Sequence, residues 1–224
     1  MPRTEYINEL DEIQNELLSI GRLVEGSIYA ALEALKSRDL DASQRVVDAD
    51  DEIDRRQIAL EERCIDVMAR QQPMAVDLRT LVSVIQVASE LERMGDYAEG
   101  IAKISLLIGS EPPLKPLIDI PRMADRATNM LRLSLDALVN RDNEAAAQVE
   151  SADDEVDELY ERVYHELLSY MLADPRSITR ATYLMWVAHD LERIADRATN
   201  IAERVIYVTT GRLPKSSAAA IEPD

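Results

Sequence analysis

The chain carries the same short helical motif twice, and this duplication limits the folds that it can adopt. Residues 90–96 read ELERMGD, and residues 190–196 read DLERIAD. Two further segments recur with an offset of 103: residues 31–39 as 134–142, and residues 49–54 as 152–157. The offset changes from 103 to 100 at a turn, where a deletion costs little. We therefore expect two similar halves.

Each half is predicted to consist of three helices. The chain has six glycines, no phenylalanine and long runs of Ala, Leu, Glu, Asp and Arg, a composition that favours helix. Apolar residues recur at steps of three and four, and no segment alternates as a strand would. In the first half the helices should cover about residues 4–36, about 41–70, and a third segment ending near 108, with Pro73 closing the second. We predict an all-α protein of two tandem antiparallel three-helix bundles.

A proline-rich segment separates the halves. Residues 109–116 read GSEPPLKP, a composition typical of a linker. We assign residues 1–109 to the first bundle and residues 116–212 to the second. Residues 213–224 lack an amphipathic period, and we expect them to be a flexible tail.

The apolar positions predict which side chains form the core. On the first helix the expected stripe is Ile7, Leu10, Leu17, Ile20, Val24, Ile28, Ala31 and Leu35. Cys64 is the only cysteine and stands in a helical pattern, so we interpret it as a buried structural thiol.

The net charge of −18 limits the partners of this chain. It argues against binding nucleic acid, which requires clustered Lys and Arg against phosphate. It suits a cation or a basic surface on another protein, although acidic residues also serve simply to keep a protein soluble. The chain has no 18-residue apolar run and no signal-peptide layout at its start, so we expect no membrane insertion and a cytoplasmic location.

Eight carboxylates form the most informative pattern in the sequence. In each repeated motif a Glu and an Asp stand four residues apart, which places them on one face of a helix. The turns set the register of the antiparallel neighbours and bring an Asp-x-x-x-Asp pair opposite each motif. The first set is Asp50, Asp54, Glu92 and Asp96, and the second set is Asp153, Asp157, Glu192 and Asp196. On a helical wheel the residues of both sets lie outside the apolar stripes, so we place them at the surface or in a groove.

These two sets have two interpretations. One is an ordinary solvated acidic face. The other is a metal site in each half. Two carboxylates about 5 Å apart repel by ~1 kcal/mol in water and by ~3 kcal/mol at an effective dielectric near 20, and a bound cation would offset this repulsion. Oxygen-only ligands suit magnesium, calcium or manganese. Ferric iron and zinc are further candidates.

Two other classes of protein are conceivable. A metal-dependent carboxylate enzyme in a helical bundle would use Glu-x-x-His ligands that project inward. Here His189 and Glu192 form a single such pair, Ser89 replaces the histidine in the first half, and His165 lacks a partner three residues away. No phosphate loop or nucleophile motif is present. A purely structural scaffold is the third class, and the repeated acidic sets argue against it.

The chain resembles the PhoU family. The resemblance lies in the two repeated motifs at 90–96 and 190–196, in residues 70–79 (RQQPMAVDLR) and in residues 196–203 (DRATNIAE), and it extends over about residues 4–212. It implies a pair of three-helix bundles, a cytoplasmic protein that is usually a dimer, and negative control of phosphate uptake and of the phosphate regulon. It also implies two partners, the ATPase of the phosphate ABC transporter and the phosphate-sensing histidine kinase, and a non-enzymatic role.

Some members of this family bind multinuclear metal clusters through Asp/Glu-x-x-x-Asp motifs, which here match the eight carboxylates. The sequence departs from the usual pattern in places. Ala195 replaces a glycine, Gly100 stands where the second half has Asn200, and Tyr97 and Arg197 stand where histidine is common. An arginine at 197 can compete with a metal for the second set of carboxylates, which argues against identical occupancy of the two sites.

Overall fold

Residues 3–212 are described by a computed structural model and form six long α-helices, with short connections inside each half, a 3-10 helix at Pro175–Ser177 and the linker 109–118 between the halves. These are α1 (Arg3–Ser37), α2 (Leu40–Gln71), α3 (Val76–Ile108), α4 (Asp119–Asn140), α5 (Asn143–Ala173) and α6 (Ile178–Thr210). Because residues 3–212 contain no strand, the all-α prediction is confirmed. None of these six helices combines the length and the apolar character that spanning a bilayer requires. The predicted tail, 213–224, lies outside the described residues.

Side chains next to the turns explain where the helices begin. The Asp39 carboxylate accepts a hydrogen bond from the Ala42 backbone N–H at 2.8 Å and caps α2. Asp142, its counterpart in the second half, caps α5 by accepting from the N–H groups of Glu144 and Ala145. These bonds satisfy donors that a helix start leaves unpaired, so the duplicated Arg-Asp sequence sets the same boundary twice.

The two bundles share one core. Helices α1, α2 and α3 pack together, as do α4, α5 and α6, while α3 also packs on α6 and α1 on α4. The inner layer is therefore α1, α3, α4 and α6, and α2 and α5 lie outside it. Buried side chains of both halves form one continuous cluster. Burial of this surface, rather than helix propensity, supplies most of the stability.

The predicted core stripe of α1 was wrong at one position. Ile7 is 47% exposed. The stripe instead follows Tyr6, Leu10, Ile13 and Leu17, and Ile7 stands one residue, about 100° of rotation, away from it. Cys64 is buried, as predicted.

The seam between α3 and α6 is held by polar contacts as well as by apolar packing. The Arg79 Nε donates to the backbone oxygen of Val208 at 3.0 Å. The Glu90 carboxylate accepts from Arg197 and from Asn200, both at 3.2 Å. The two helices run antiparallel. The acidic motif of α3 faces the outer helix α2, and that of α6 faces the outer helix α5.

Candidate metal centre

The eight predicted carboxylates lie in two grooves, one in each half. Asp50 and Asp54 of α2 face Glu92 and Asp96 of α3, and we name this set the first acidic groove. The second acidic groove consists of the equivalent residues of α5 and α6, Asp153, Asp157, Glu192 and Asp196. Asp96 and Asp157 are exposed, and the other six are partly buried. Both grooves lie beside the core, between an inner and an outer helix.

The first acidic groove brings carboxylate oxygens close enough to share an ion. One oxygen each from Asp54, Glu92 and Asp96 lies within 4.8 Å of the others. A second group, formed by Asp50, Asp96 and Glu99, meets the same limit. Asp96 belongs to both groups, so the five side chains form one continuous cluster.

Glu99 is a member that sequence reasoning missed. It follows Asp96 by three residues, a spacing that places two side chains on the same helix face. The spacing from Asp96 therefore indicates Glu99. A prediction based on the repeat omits it, because the second half has Thr199 at the equivalent position.

Burial and charge repulsion raise the pKa values of three carboxylates in this groove. Burial, together with the charges of Glu99 and Asp54, raises the pKa of Asp50 to about 6. The pKa values of Glu92 and Asp96 are also raised, again by burial first and by neighbouring carboxylates second. The buried Oδ1 atom of Asp54 has no hydrogen-bond partner among the described residues. A cation would relieve the repulsion and would satisfy this oxygen.

The second acidic groove already contains a cation of the protein itself. The Arg193 Nε lies 2.8 Å from the Glu192 Oε2, and its Nη1 lies 2.9 Å from the Asp196 Oδ2. Arg93, the counterpart of Arg193, is exposed and forms no such bridge with any of residues 6–212. In the first cluster the nearest ion pair is instead that of Lys103 with Glu99, at one end of the cluster.

The arginine expected to compete for the second groove was the wrong one. Arg197 contacts Glu90 on α3, at 3.2 Å, and not the carboxylates of its own half. The reason is helical geometry, because residue 197 is rotated about 100° from Asp196 and so faces the seam with α3.

Repulsion persists in the second groove despite Arg193. Burial, with the charges of Asp157 and Asp196, raises the pKa of Asp153 to about 6. The pKa values of Asp157 and Glu192 are raised as well, mainly by burial. His189 Nδ1 lies 3.7 Å from the Glu192 Oε2, and burial lowers the pKa of this histidine.

The donor sets differ in how well they fit a metal. The first groove offers only carboxylate oxygens at sharing distance, which is the chemistry that hard cations such as Mg²⁺, Mn²⁺ and Ca²⁺ prefer. In the second groove Arg193 contacts two of the four carboxylates and offsets one negative charge. Within residues 6–212, both sets of three carboxylates whose oxygens lie close enough to share one ion are in the first half. Metal binding at either groove stays a prediction, and the first groove fits it better.

Comparison with known proteins gives a consistent family assignment. The PhoU domain family model matches residues 17–105 and 120–205. The chain is 41% identical over 207 residues to a phosphate-specific transport system accessory protein PhoU homolog of Aquifex aeolicus, covering 92% of this chain and 94% of the relative. It is 37% identical over 213 residues to a Clostridium acetobutylicum homolog of the same description, covering 95% and 97%.

Solved structures agree with this assignment. The crystal structure of PhoU from Pseudomonas aeruginosa superposes with a TM-score of 0.87 at 34% identity, covering 92% of this chain and 100% of that one. The phosphate transport system regulatory protein PhoU from Streptococcus pneumoniae gives a TM-score of 0.87 at 31% identity, with coverage of 94% and 99%. Two matches to one domain model, nearly full-length relatives and the shared fold lead to one conclusion: this chain belongs to the PhoU family.

Proposed function

We propose that this protein is an accessory protein of a phosphate transport system and a negative regulator of phosphate uptake and of the phosphate regulon. The observation that carries the proposal is the 41% identity, over 92% of the chain, to a relative described as a phosphate-specific transport system accessory protein homolog. The Streptococcus pneumoniae structure, described as a regulatory protein of phosphate transport, supports the regulatory part.

In this proposal the protein acts without catalysis, as an adaptor. It is a cytoplasmic homodimer that contacts the ATPase of the phosphate ABC transporter and the phosphate-sensing histidine kinase. The net charge of −18 supports partners with basic surfaces, because opposite charge speeds encounter and sets orientation. The relatives' descriptions name accessory and regulatory proteins, which supports a non-enzymatic role.

The first acidic groove would hold a metal ion that adjusts this contact. Asp54, Glu92 and Asp96 would supply ligands to one ion, and Asp50 and Glu99 would extend the site through Asp96. Without metal the groove concentrates negative charge, and a bound divalent cation would cancel two of those charges. Metal loading would therefore change how the groove meets a basic partner surface.

Deleting the gene and measuring phosphate-responsive expression tests the regulatory proposal. We expect the phosphate regulon to be expressed in high phosphate when the gene is absent, and repression to return with the wild-type gene. Unchanged repression in the deletion strain would refute the regulatory role.

Two matched variants test the metal site separately. One replaces Asp54, Glu92 and Asp96 by Asn, Gln and Asn, and the other makes the same kinds of change at Asp157, Glu192 and Asp196. We expect elemental analysis of protein purified without chelator to show lost metal in the first variant and little change in the second. Circular dichroism should show intact helices in both, because these side chains lie outside the core. Equal metal content in wild type and the first variant would refute the site.

A further inference from the structure

A cavity of about 260 Å³ lies at the junction of the two bundles, under the linker, and we name it the junction cavity. The C-terminal ends of α1 and α3, linker residues 111–117 and the first turns of α6 surround it. Its wall is largely apolar and includes Leu35, Ile108, Leu114, Leu117 and Leu184. The cavity contains no member of either acidic groove and is not explained by the proposed function.

Basic side chains converge on this cavity in an otherwise acidic protein. The chain has 43 acidic and 25 basic residues. The cavity nevertheless has four basic side chains, Lys36, Arg38, Lys115 and Arg180, and only one acidic one, Glu111. Such a local reversal of charge favours an anion at this position.

The four cations differ in how fully they are neutralised. Lys36 pairs with Glu33, and the nearly buried Lys115 pairs with Glu166; neither glutamate belongs to the cavity wall. Arg180 Nε lies 3.6 Å from the Glu111 Oε2.

Arg38 has the most available charge. Its Nη1 donates one long hydrogen bond, 3.4 Å, to the backbone oxygen of Glu111. Among residues 6–212, no carboxylate forms an ion pair with it. A guanidinium in this position has donors left for a carboxylate or a similar oxyanion.

We propose that the junction cavity binds a small amphipathic anion, with its apolar body among the leucines and its anionic group on Arg38. An apolar wall with a few convergent polar groups is the usual character of a ligand pocket. The volume lies just below the roughly 300–1,000 Å³ of pockets for larger ligands, so a short acyl chain or a single ring fits best. The apolar wall disfavours a bare inorganic anion, which would lose its hydration there. A bound ligand would touch both bundles and the linker at once, and would brace their relative position.

Calorimetric titration with three probes tests the class of ligand. Octanoate carries both an apolar chain and an anion, 1-octanol has the chain alone, and inorganic phosphate has the charge alone. We expect saturable one-to-one binding of octanoate, at least tenfold weaker binding of octanol, and no competition by phosphate. Equal affinity for octanol, displacement by phosphate, or no saturable octanoate binding would each overturn the proposal.

Variants then test the location. Arg38→Asn removes the charge and tolerates the positive φ of 56° found at this residue. Leu114→Trp fills the cavity and keeps the arginine at position 38, and Arg122→Gln removes an exposed arginine elsewhere as the matched control. We expect the first two to weaken octanoate binding at least tenfold and the control to leave it unchanged. If circular dichroism shows that Arg38→Asn does not fold, octanoate binding by Leu114→Trp tests the location of the site. Wild-type affinity in the folded cavity variants, or equal loss in the control, would refute the site.

Discussion

Replacing Asp190 by Asn is expected to stabilise the protein, because Asp190 is a partly buried carboxylate at the seam between α3 and α6. Burial raises its pKa to about 7. Across the seam its neighbour is Gly100, where the Cβ of any larger residue would lie 3.0 Å from the Asp190 Oδ2. The equivalent residue Glu90 instead has two partners, Arg197 and Asn200. Asp190 has no ion-pair partner among residues 6–212.

The size of the effect follows from the pKa of Asp190. A rise from 3.8 to about 7 corresponds to about 4 kcal/mol, since each pH unit is worth about 1.4 kcal/mol. Water reaches part of this carboxyl group, so we expect roughly half, about 2 kcal/mol. In a protein of 224 residues that difference corresponds to roughly 4–8 °C in Tm.

The sign of the pH dependence is fixed by the direction of the pKa shift. The folded state holds the proton of Asp190 more tightly than the unfolded state does. The destabilisation is therefore complete above the folded pKa of about 7 and shrinks as the pH falls towards 3.8. The destabilisation at pH 5 should therefore be smaller than at pH 8.5.

Guanidinium unfolding with a chelator present, at pH 8.5 and at pH 5, measures the change in the free energy of unfolding directly. Asp190→Asn should gain about 2 kcal/mol at pH 8.5 and less at pH 5. Glu90→Gln is the matched control with the opposite sign, because it leaves the Arg197 charge without its carboxylate and should cost about 1–3 kcal/mol. A gain for Asp190→Asn that is absent, or that is the same at both pH values, would refute the assignment of an unpaired buried charge.

The two acidic grooves and the buried thiol lead to three further expectations. Arg193→Gln removes the cation that bridges Glu192 and Asp196, so it should cost about 1–2 kcal/mol without metal and allow metal uptake at the second groove; unchanged metal content on elemental analysis would contradict the competition. Metal affinity of the first groove should fall below about pH 6, because ligand carboxylates must ionise and the pKa of Asp50 is about 6; an affinity that is constant from pH 8 to pH 5 would argue against the site. Burial raises the pKa of the Cys64 thiol to about 12, so a thiol reagent should label it only after unfolding, and rapid labelling of native protein would disprove its protection.

The six helices and the two sets of facing carboxylates could be predicted from the sequence. Both follow from local rules: apolar spacing sets the buried face of a helix, and a short turn sets the register of its antiparallel neighbour. The four-residue spacing within each motif places Glu92 and Asp96 on one face, and the turn at Pro73 brings Asp54 opposite them. Ile7 shows the limit of this approach, because a wheel of one helix cannot tell which of two adjacent apolar residues faces the neighbours.

The differences between the two similar grooves depend on tertiary contacts and could not be predicted from the sequence. Arg93 and Arg193 occupy equivalent positions, yet only Arg193 bridges the carboxylates of its groove. Helical geometry turns Arg197 away from its own groove, but the packing of α3 on α6 selects Glu90 as its partner. The junction cavity depends on how the linker lies over the ends of three helices. Long side chains and linkers have many conformations of similar local energy, and contacts between distant parts of the chain select among them.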